Sequence, residues 1–232
     1  MSEYVGIDQL LRLEKDLKAW VRAKAGVTAR LLEGKRVLDV GCGIGMFASE
    51  FGRRGFTVTG VDNSAKCIEI ARERYKGIEF IVDDGHKLAK VGSVPPFDSA
   101  VLFDVLEHIE DQDLLLKNIA GRLKKGGVLV LSVPAFQALY SRHDKNIGHF
   151  RRYSKKSLRA ILERNGFRVE RIFYWNFIGM IGWLLVSRIF GRDPTEIANP
   201  LVNKAYASLL RIESAVTSPL GLSLIVKARK NG

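Results

Sequence analysis

Short apolar runs alternate along this chain with stretches in which apolar residues recur every three or four positions. Leu10, Leu13, Leu17, Trp20 and Val21 follow the second pattern and predict a helix within 8–31. Apolar runs at 36–40, 57–61, 78–82, 99–103, 128–133, 167–174 and 222–228 read as seven strands, the first a buried one. Helices are expected between them at 44–53, 65–75, 111–124 and 154–165. Ser64 supplies an N-cap, and Gly55, Gly126–Gly127 and Gly166 supply stops. Strands alternating with helices predict a single α/β domain over 1–232 with a mainly parallel sheet, preceded by an N-terminal helical segment at 1–35.

One stretch breaks the rhythm. Residues 175–220 are far longer than a strand connection. They predict an apolar helix at 177–190, a break at 191–194 and a second helix at about 200–217, which together read as a helical insertion. Trp175, Phe177, Ile178, Met180, Ile181, Trp183, Leu184 and Leu185 nearly surround the first helix, so it requires cover. The expected cover is an acceptor lid or dimer contact within protein, or an interfacial membrane contact. The uncharged apolar run 172–187 is short of a bilayer span.

Composition adds a basic bias. There are 37 Lys and Arg against 25 Asp and Glu, a net charge of +12, and residues 140–173 alone carry +7. Such a block suits an anionic partner (nucleic acid, membrane surface or phosphorylated substrate) or a solvated basic face. Cys42 and Cys67 form no disulfide framework or zinc spacing, and no secretory leader is visible in the first residues. A reducing cytoplasmic setting is expected, with peripheral contact at the inner membrane face as its variant.

The most specific segment is Val37–Gly45, VLDVGCGIG. A buried strand runs into Gly41, Gly43 and Gly45, which permit positive φ and close backbone approach to a ligand. The next strand ends in Asp62-Asn63, where a carboxylate can take both hydroxyls of a ribose. A nicotinamide dinucleotide wants G-x-G-x-x-G directly after the strand. Counted from Gly41, Met46 stands at the third glycine; counted from Gly43, the series is Gly43, Gly45, Ala48. S-adenosylmethionine is the alternative, and favours an acid before the loop, where Asp39 stands.

VLDVGCGIG, followed by VDNS, FIVDDGHKL, FDSAVLFDVLEHI and LKKGGVLVLSVP, resembles the class I S-adenosylmethionine-dependent methyltransferases, in particular the ubiquinone-type subgroup. The resemblance covers about 36–134. It implies a Rossmann-like, seven-stranded, mostly parallel sheet with an antiparallel last strand. It further implies S-adenosyl-L-methionine as cofactor, with Asp39, Gly41, Cys42, Gly43 and Gly45 around its methionine part. Asp62 and Asn63 would hold the ribose, Asp84 and Gly85 the adenine, and Phe103 would lie near the sulfonium. Asp83 stands where the usual motif has glycine. Arg22 resembles an entry arginine that pairs with the cofactor carboxylate.

Methyl transfer from a sulfonium is an in-line displacement on an activated methyl group, so positioning dominates, with proton removal where the acceptor is a hydroxyl. The candidate bases are His108, His143 and His149, with Asp104, Glu107 and Asp144 nearby in sequence. Asp104, Glu107 and His108 have the i, i+3, i+4 spacing of one helix face. In ubiquinone-type relatives a similar set can hold a divalent cation. Arg151 and Arg152 are candidates for gripping an anionic group on the acceptor. The segment GHFRRYSKKSLRAILERNGF also resembles one common in envelope-glycan and lipid methyltransferases.

The expected function is O-methylation of a small-molecule or lipid- or glycan-linked acceptor. An RNA methyltransferase is the rival that the charge favours, but no Asn/Asp-Pro-Pro-aromatic motif follows the fourth strand, which makes nucleic acid the less favoured partner. A non-enzymatic cofactor-binding regulator is the second rival.

Overall fold

The computed structural model describes residues 18–84, 87–189, 206, 209–210, 213 and 218–232. Within them a seven-stranded sheet runs in the order β3-β2-β1-β4-β5-β7-β6. The strands are β1 (Arg36–Val40), β2 (Thr57–Asp62), β3 (Glu79–Val82), β4 (Phe97–Phe103), β5 (Leu123–Pro134), β6 (Phe167–Trp175) and β7 (Ser223–Lys230). β1 to β5 are parallel, and β7 lies antiparallel between β5 and β6. The expected architecture is therefore present, including the inverted last strand.

The helices are α1 (Lys18–Ala29), α2 (Met46–Gly52), α3 (Ala65–Arg74), α4 (Gln112–Arg122), α5 (Arg142–Asn146), α6 (Lys155–Arg164) and α7 (Phe177–Ile189). Ser64 caps α3 as expected, its side chain accepting from the Cys67 amide. Ser154 likewise caps α6 through the Ser157 amide. The central strands are apolar throughout because both faces are covered. Val37, Val101 and Val130 pack with Phe51 on one side, while Leu38, Leu102 and Leu131 pack with Leu116 and Ile119 on the other.

Three boundaries differ from expectation. α2 starts at Met46 rather than at residue 44, because Gly43 and Gly45 have φ of 52° and 82° and cannot belong to a right-handed helix. α4 stops at Arg122, and Leu123 pairs with Phe97, so the expected helix end belongs to β5. The glycine pair expected as a stop lies within that strand, where Gly126 has φ 70° and the β4–β5 register shifts. The part of the first helix before Lys18, the break at 191–194 and most of the helix at 200–217 lie outside the described residues.

Strand direction places the insertion. β6 runs parallel to β5, so Trp175 lies at the carboxyl edge of the parallel strands, and β7 begins at that same edge with Ser223 paired to both Pro134 and Trp175. The segment between β6 and β7 thus leaves and re-enters at the edge where open α/β sheets bind ligands. Its start is fixed by Asn176, which has φ 69° and whose Oδ1 accepts from the Gly179 amide at 2.9 Å and from the Tyr206 hydroxyl at 2.8 Å. Glu213 accepts from the Phe177 amide at 2.6 Å and the Ile178 amide at 3.3 Å, supplying a negative charge to the first turn of α7. No helix among the described residues is long and apolar enough to cross a membrane.

Glu213→Ala should cost roughly 1 kcal/mol, as loss of a helix cap does. Hydrogen exchange should show faster exchange at the Phe177–Met180 amides with protection in β1 and β4 unchanged; loss spread evenly over the sheet would contradict the local role.

Candidate functional site

The glycine loop leaves β1 and is folded back tightly against β2. The amides of Gly41 and Cys42 both donate to the Val61 carbonyl, at 2.8 and 2.9 Å, and the Gly45 amide donates to Cys42 at 3.0 Å. The Gly43 amide donates to Asp62 Oδ2 at 2.8 Å, and Asp62 Oδ1 accepts from the Ser64 amide at 2.9 Å. A Cβ on Gly41, whose φ is 73°, would stand 2.4 Å from Val105, and one on Gly45 would stand 2.8 Å from Phe80. Glycine is required at both positions by conformation and by space.

Asp39, at 2% exposure, lies beneath this loop. The Ala48 amide donates to its carboxylate, so it braces the start of α2, yet Oδ2 is buried with no partner. Burial, and then the nearby Asp62, push the Asp39 carboxyl up to about 7. Burial also raises Asp62, against the Ser64 and Gly43 amides that stabilise its charge. Asn63 is exposed beside it. Cys42 is buried and its thiol is pushed up by burial, then by Asp39, so it lines the loop as an inert group.

At the end of β3 the two acids separate. Asp83 is buried, and its Oδ2 accepts from the Lys90 and Val91 amides at 2.8 and 3.1 Å. Asp84 is exposed at the carboxyl edge, where a ligand can reach it. Gly85 lies outside the described residues.

Phe103, expected near the sulfonium, ends β4 at the carboxyl edge. It is 7% exposed and packs edge-on against Phe47 with centroids 4.8 Å apart, because α2 lies across this end of β4. The sequence reading passed over Lys24. This lysine is fully buried, forms an ion pair with Asp104 Oδ2, and carries its ammonium 4.6 Å from the Trp20 ring centroid. Arg22, on the same helix, points instead to Glu50 at 3.6 Å.

The expected Asp104, Glu107, His108 face does not form. Asp104 has φ 54°, and its carboxylate is taken by Lys24 and by the Ser132 hydroxyl at 2.9 Å. Only a single 3₁₀ turn, Leu106–His108, follows. The set that does converge is Glu107, His108 and His149, whose candidate ligand atoms lie within 4.8 Å of one another and could hold a metal ion. Glu107 is 1% exposed with neither oxygen hydrogen-bonded, and burial followed by Asp104 raises its carboxyl well above the ordinary range. The His108 and His149 rings stand 4.6 Å apart, edge to face. His143 sits apart on α5, partly buried.

His149 comes to this place through a loop closed on itself. Ala135 bridges Tyr153 at the two ends, and the Phe150 amide donates to the Glu107 carbonyl at 2.9 Å. Asp144, buried at the centre, accepts from the Ser141 amide at 2.8 Å and from Arg152 Nε at 2.8 Å, and lies 2.9 Å from His149 Nδ1. Burial works against its ionisation, but the His149 and Arg152 bonds prevail and hold the carboxyl well below the usual range. Asp144 is thus a hub, not a base. Arg152, with 5% of its side chain exposed, is the internal counter-ion of Asp144 and not a grip for an acceptor. Arg151 is only partly buried, its guanidinium 5.7 Å from the Phe150 ring centroid.

Sheet order, glycine loop and strand-end acids together define a Rossmann-like domain with a ligand site at its carboxyl edge. The chain belongs to the family described as "Methyltransferase domain", whose model matches residues 12–172. It is 36% identical over 108 residues to the ubiquinone biosynthesis O-methyltransferase of Chelativorans sp. (strain BNC1), covering 45% of this chain and 42% of that protein. Over 105 residues it is 36% identical to the enzyme of the same name from Coxiella burnetii (strain RSA 493 / Nine Mile phase I), covering 44% of each. The match therefore spans less than half the length of these relatives. Among solved structures, a SAM-dependent methyltransferase from Archaeoglobus fulgidus superposes with TM-score 0.65 at 21% identity, covering 96% of this chain and 99% of that one. N-methyltransferase NodS from Bradyrhizobium japonicum WM9, in complex with S-adenosyl-L-homocysteine, gives 0.59 at 17%, covering 91% and 87%. At these identities the likeness is one of fold.

Two measurements check the electrostatics. Asp39 is harder to ionise folded than unfolded, so it costs stability as pH rises from about 4 toward its folded value of about 7. Asp39→Asn should therefore raise the thermal midpoint of the ligand-free protein more at pH 8 than at pH 4, and equal shifts would contradict the raised carboxyl. Asp144→Ala strands the buried Arg152 and should cost about 3–5 kcal/mol in urea unfolding at pH 7. Because the Asp144 carboxyl is held low, that difference should shrink as pH falls below about 4.

Proposed function

We propose that the chain transfers a methyl group from S-adenosyl-L-methionine to a hydroxyl on a small-molecule acceptor. The observation that carries this reading is the way the glycine loop spends its hydrogen bonds. The amides of Gly41, Cys42, Gly43 and Gly45 donate inward, to Val61, Asp62 and Cys42, so they cannot cradle a diphosphate. The Asp39 carboxylate, buried beneath the loop, repels one. A dinucleotide is disfavoured on both counts. A donor with an α-ammonium and a sulfonium fits, because its positive charge answers the unpartnered Asp39 oxygen and favours the ionised form of that buried acid.

In this reading Asp62 and Asn63 hold the ribose and Asp84 the adenine amino group. The bound donor supplies an electrophilic methyl. The chain's own residues place the acceptor and remove its proton, and His149 with His108 is the pair within reach of the end of β4. Arg151 remains as the cation for an acidic acceptor. In this reading α7, which leaves the sheet at the carboxyl edge, covers the acceptor. The printed names of the curated relatives support oxygen as the receiving atom.

Asp62→Asn should weaken binding of S-adenosyl-L-methionine by about 1–3 kcal/mol, measured by calorimetry. Tighter binding of NAD than of the sulfonium donor by the wild-type chain would reject the cofactor. Transfer of labelled methyl to a fractionated cell lysate should label the small-molecule or solvent-extractable pool; label confined to RNA would reject the acceptor class.

A further inference from the structure

Lys24 is the one feature of the site that methyl transfer does not by itself explain. Its ammonium is fully buried between three aromatic rings, 4.6 Å from the Trp20 centroid, 5.5 Å from Phe103 and 5.7 Å from Phe47. Its ion-pair partner is Asp104. Each neighbour belongs to the glycine loop or its rim. Phe47 is the second residue of α2, which the loop opens; Phe103 ends β4 and Asp104 follows it; and Val105, next in the chain, is the side chain that a Cβ on Gly41 would strike.

Donor chemistry places its sulfur near this group. Sulfur joins the ribose carbon to the methionine chain. With the ribose at Asp62 on β2 and the methionine part at the loop after β1, sulfur lies over those two strand ends. The acceptor must approach from the side away from β2, and the neighbour of β1 on that side is β4. Asp104 is the first residue beyond β4, on that side of β1, and its side chain is 37% exposed.

We propose that the Lys24–Asp104 ion pair sets the charge of the methyl-donor site, and thereby how strongly the site prefers the cationic sulfonium over its neutral thioether product. An unpaired Asp104 would add to Asp39 and Asp62 as a third carboxylate attracting the sulfonium. Lys24 cancels that charge from within the protein. The aromatic rings stabilise the cation at one end, and burial in a low-dielectric environment makes the cancellation effective at the distance of a ligand. The inference rests on the methyl-donor reading above.

The test compares S-adenosyl-L-methionine with S-adenosyl-L-homocysteine by calorimetry, because the two differ at sulfur by one methyl and one positive charge. The readout is the ratio of their affinities, which a merely structural role would leave unchanged. Lys24→Met and Lys24→Gln expose the Asp104 charge and should raise the preference for the sulfonium on the order of 3–10-fold. Asp104→Asn should lower it, and Lys24→Met with Asp104→Asn together should return it near wild type. The double variant replaces a part-buried pair by neutral groups, an exchange that folded proteins commonly tolerate. A ratio within twofold of wild type in every single variant that folds overturns the proposal, as does a rise that persists in the double variant. Failure of the wild-type chain to bind either compound would instead reject the donor site itself.

Discussion

Two amides donating to one carbonyl hold this site in shape: Gly41 and Cys42 both bond to Val61. The contact pins the loop after β1 to the end of β2 and carries several consequences. It turns the Gly43 amide toward Asp62, so the strand-end acid is oriented before any ligand arrives. It brings the loop so close to Val105 that position 41 has no room for a side chain. It also spends the donors that a phosphate-binding loop keeps free. The same string of glycines thus becomes a rim whose remaining chemistry is acidic, and ligand charge, more than the glycine pattern, separates a sulfonium donor from a dinucleotide.

The carboxyl edge is correspondingly crowded with acids whose treatment differs. Asp39 is buried with one oxygen unanswered, Glu107 is buried with both unanswered, and Asp104 is answered by Lys24 and Ser132. Unpartnered buried carboxylates are costly in the folded state. They cluster where a ligand, proton or cation can relieve that cost. Asp144 shows the opposite treatment on the other side of His149 from Glu107: saturated by Ser141, Arg152 and His149, it holds a loop in place and its charge is fully used. Glu107 and Asp144 flank His149 on its two ring nitrogens, at 3.8 and 2.9 Å, so one imidazole stands between an unsatisfied carboxyl and a saturated one.

Much of this was legible in the chain. The seven strands follow from apolar runs, because a sheet covered on both faces leaves no polar alternation to blur them. The loop, Asp39 and Asp62 follow from local spacing. What was not legible depends on contacts between residues far apart in sequence. Lys24 reads as one more cation on an N-terminal helix until Asp104, 80 positions away, is placed beside it. Asp104, Glu107 and His108 have helical spacing, but the left-handed backbone at Asp104 breaks the face before it forms. Arg151 and Arg152 are indistinguishable as letters; one is buried against Asp144 because the loop closes at Ala135 and Tyr153. In each case a tertiary partner, not the local signal, decided where the side chain goes.

The insertion ties these parts together. A connection between two antiparallel neighbours needs only a few residues, so a segment as long as 176–222 that begins and ends at one edge adds nothing to sheet closure. Its first residues are nevertheless tightly built, with Asn176 held in a left-handed conformation and bonded by the Tyr206 hydroxyl, and the Phe177 and Ile178 amides donating to Glu213. Trp175, just before it, packs at a tilt against Trp20 with centroids 5.8 Å apart, and the Lys24 ammonium lies over the Trp20 ring. The root of the insertion, the N-terminal helix and the end of β4 therefore share one aromatic contact at the edge. Trp175 and Trp20 thus connect the start of α7 to the Lys24–Asp104 pair through ring contacts alone.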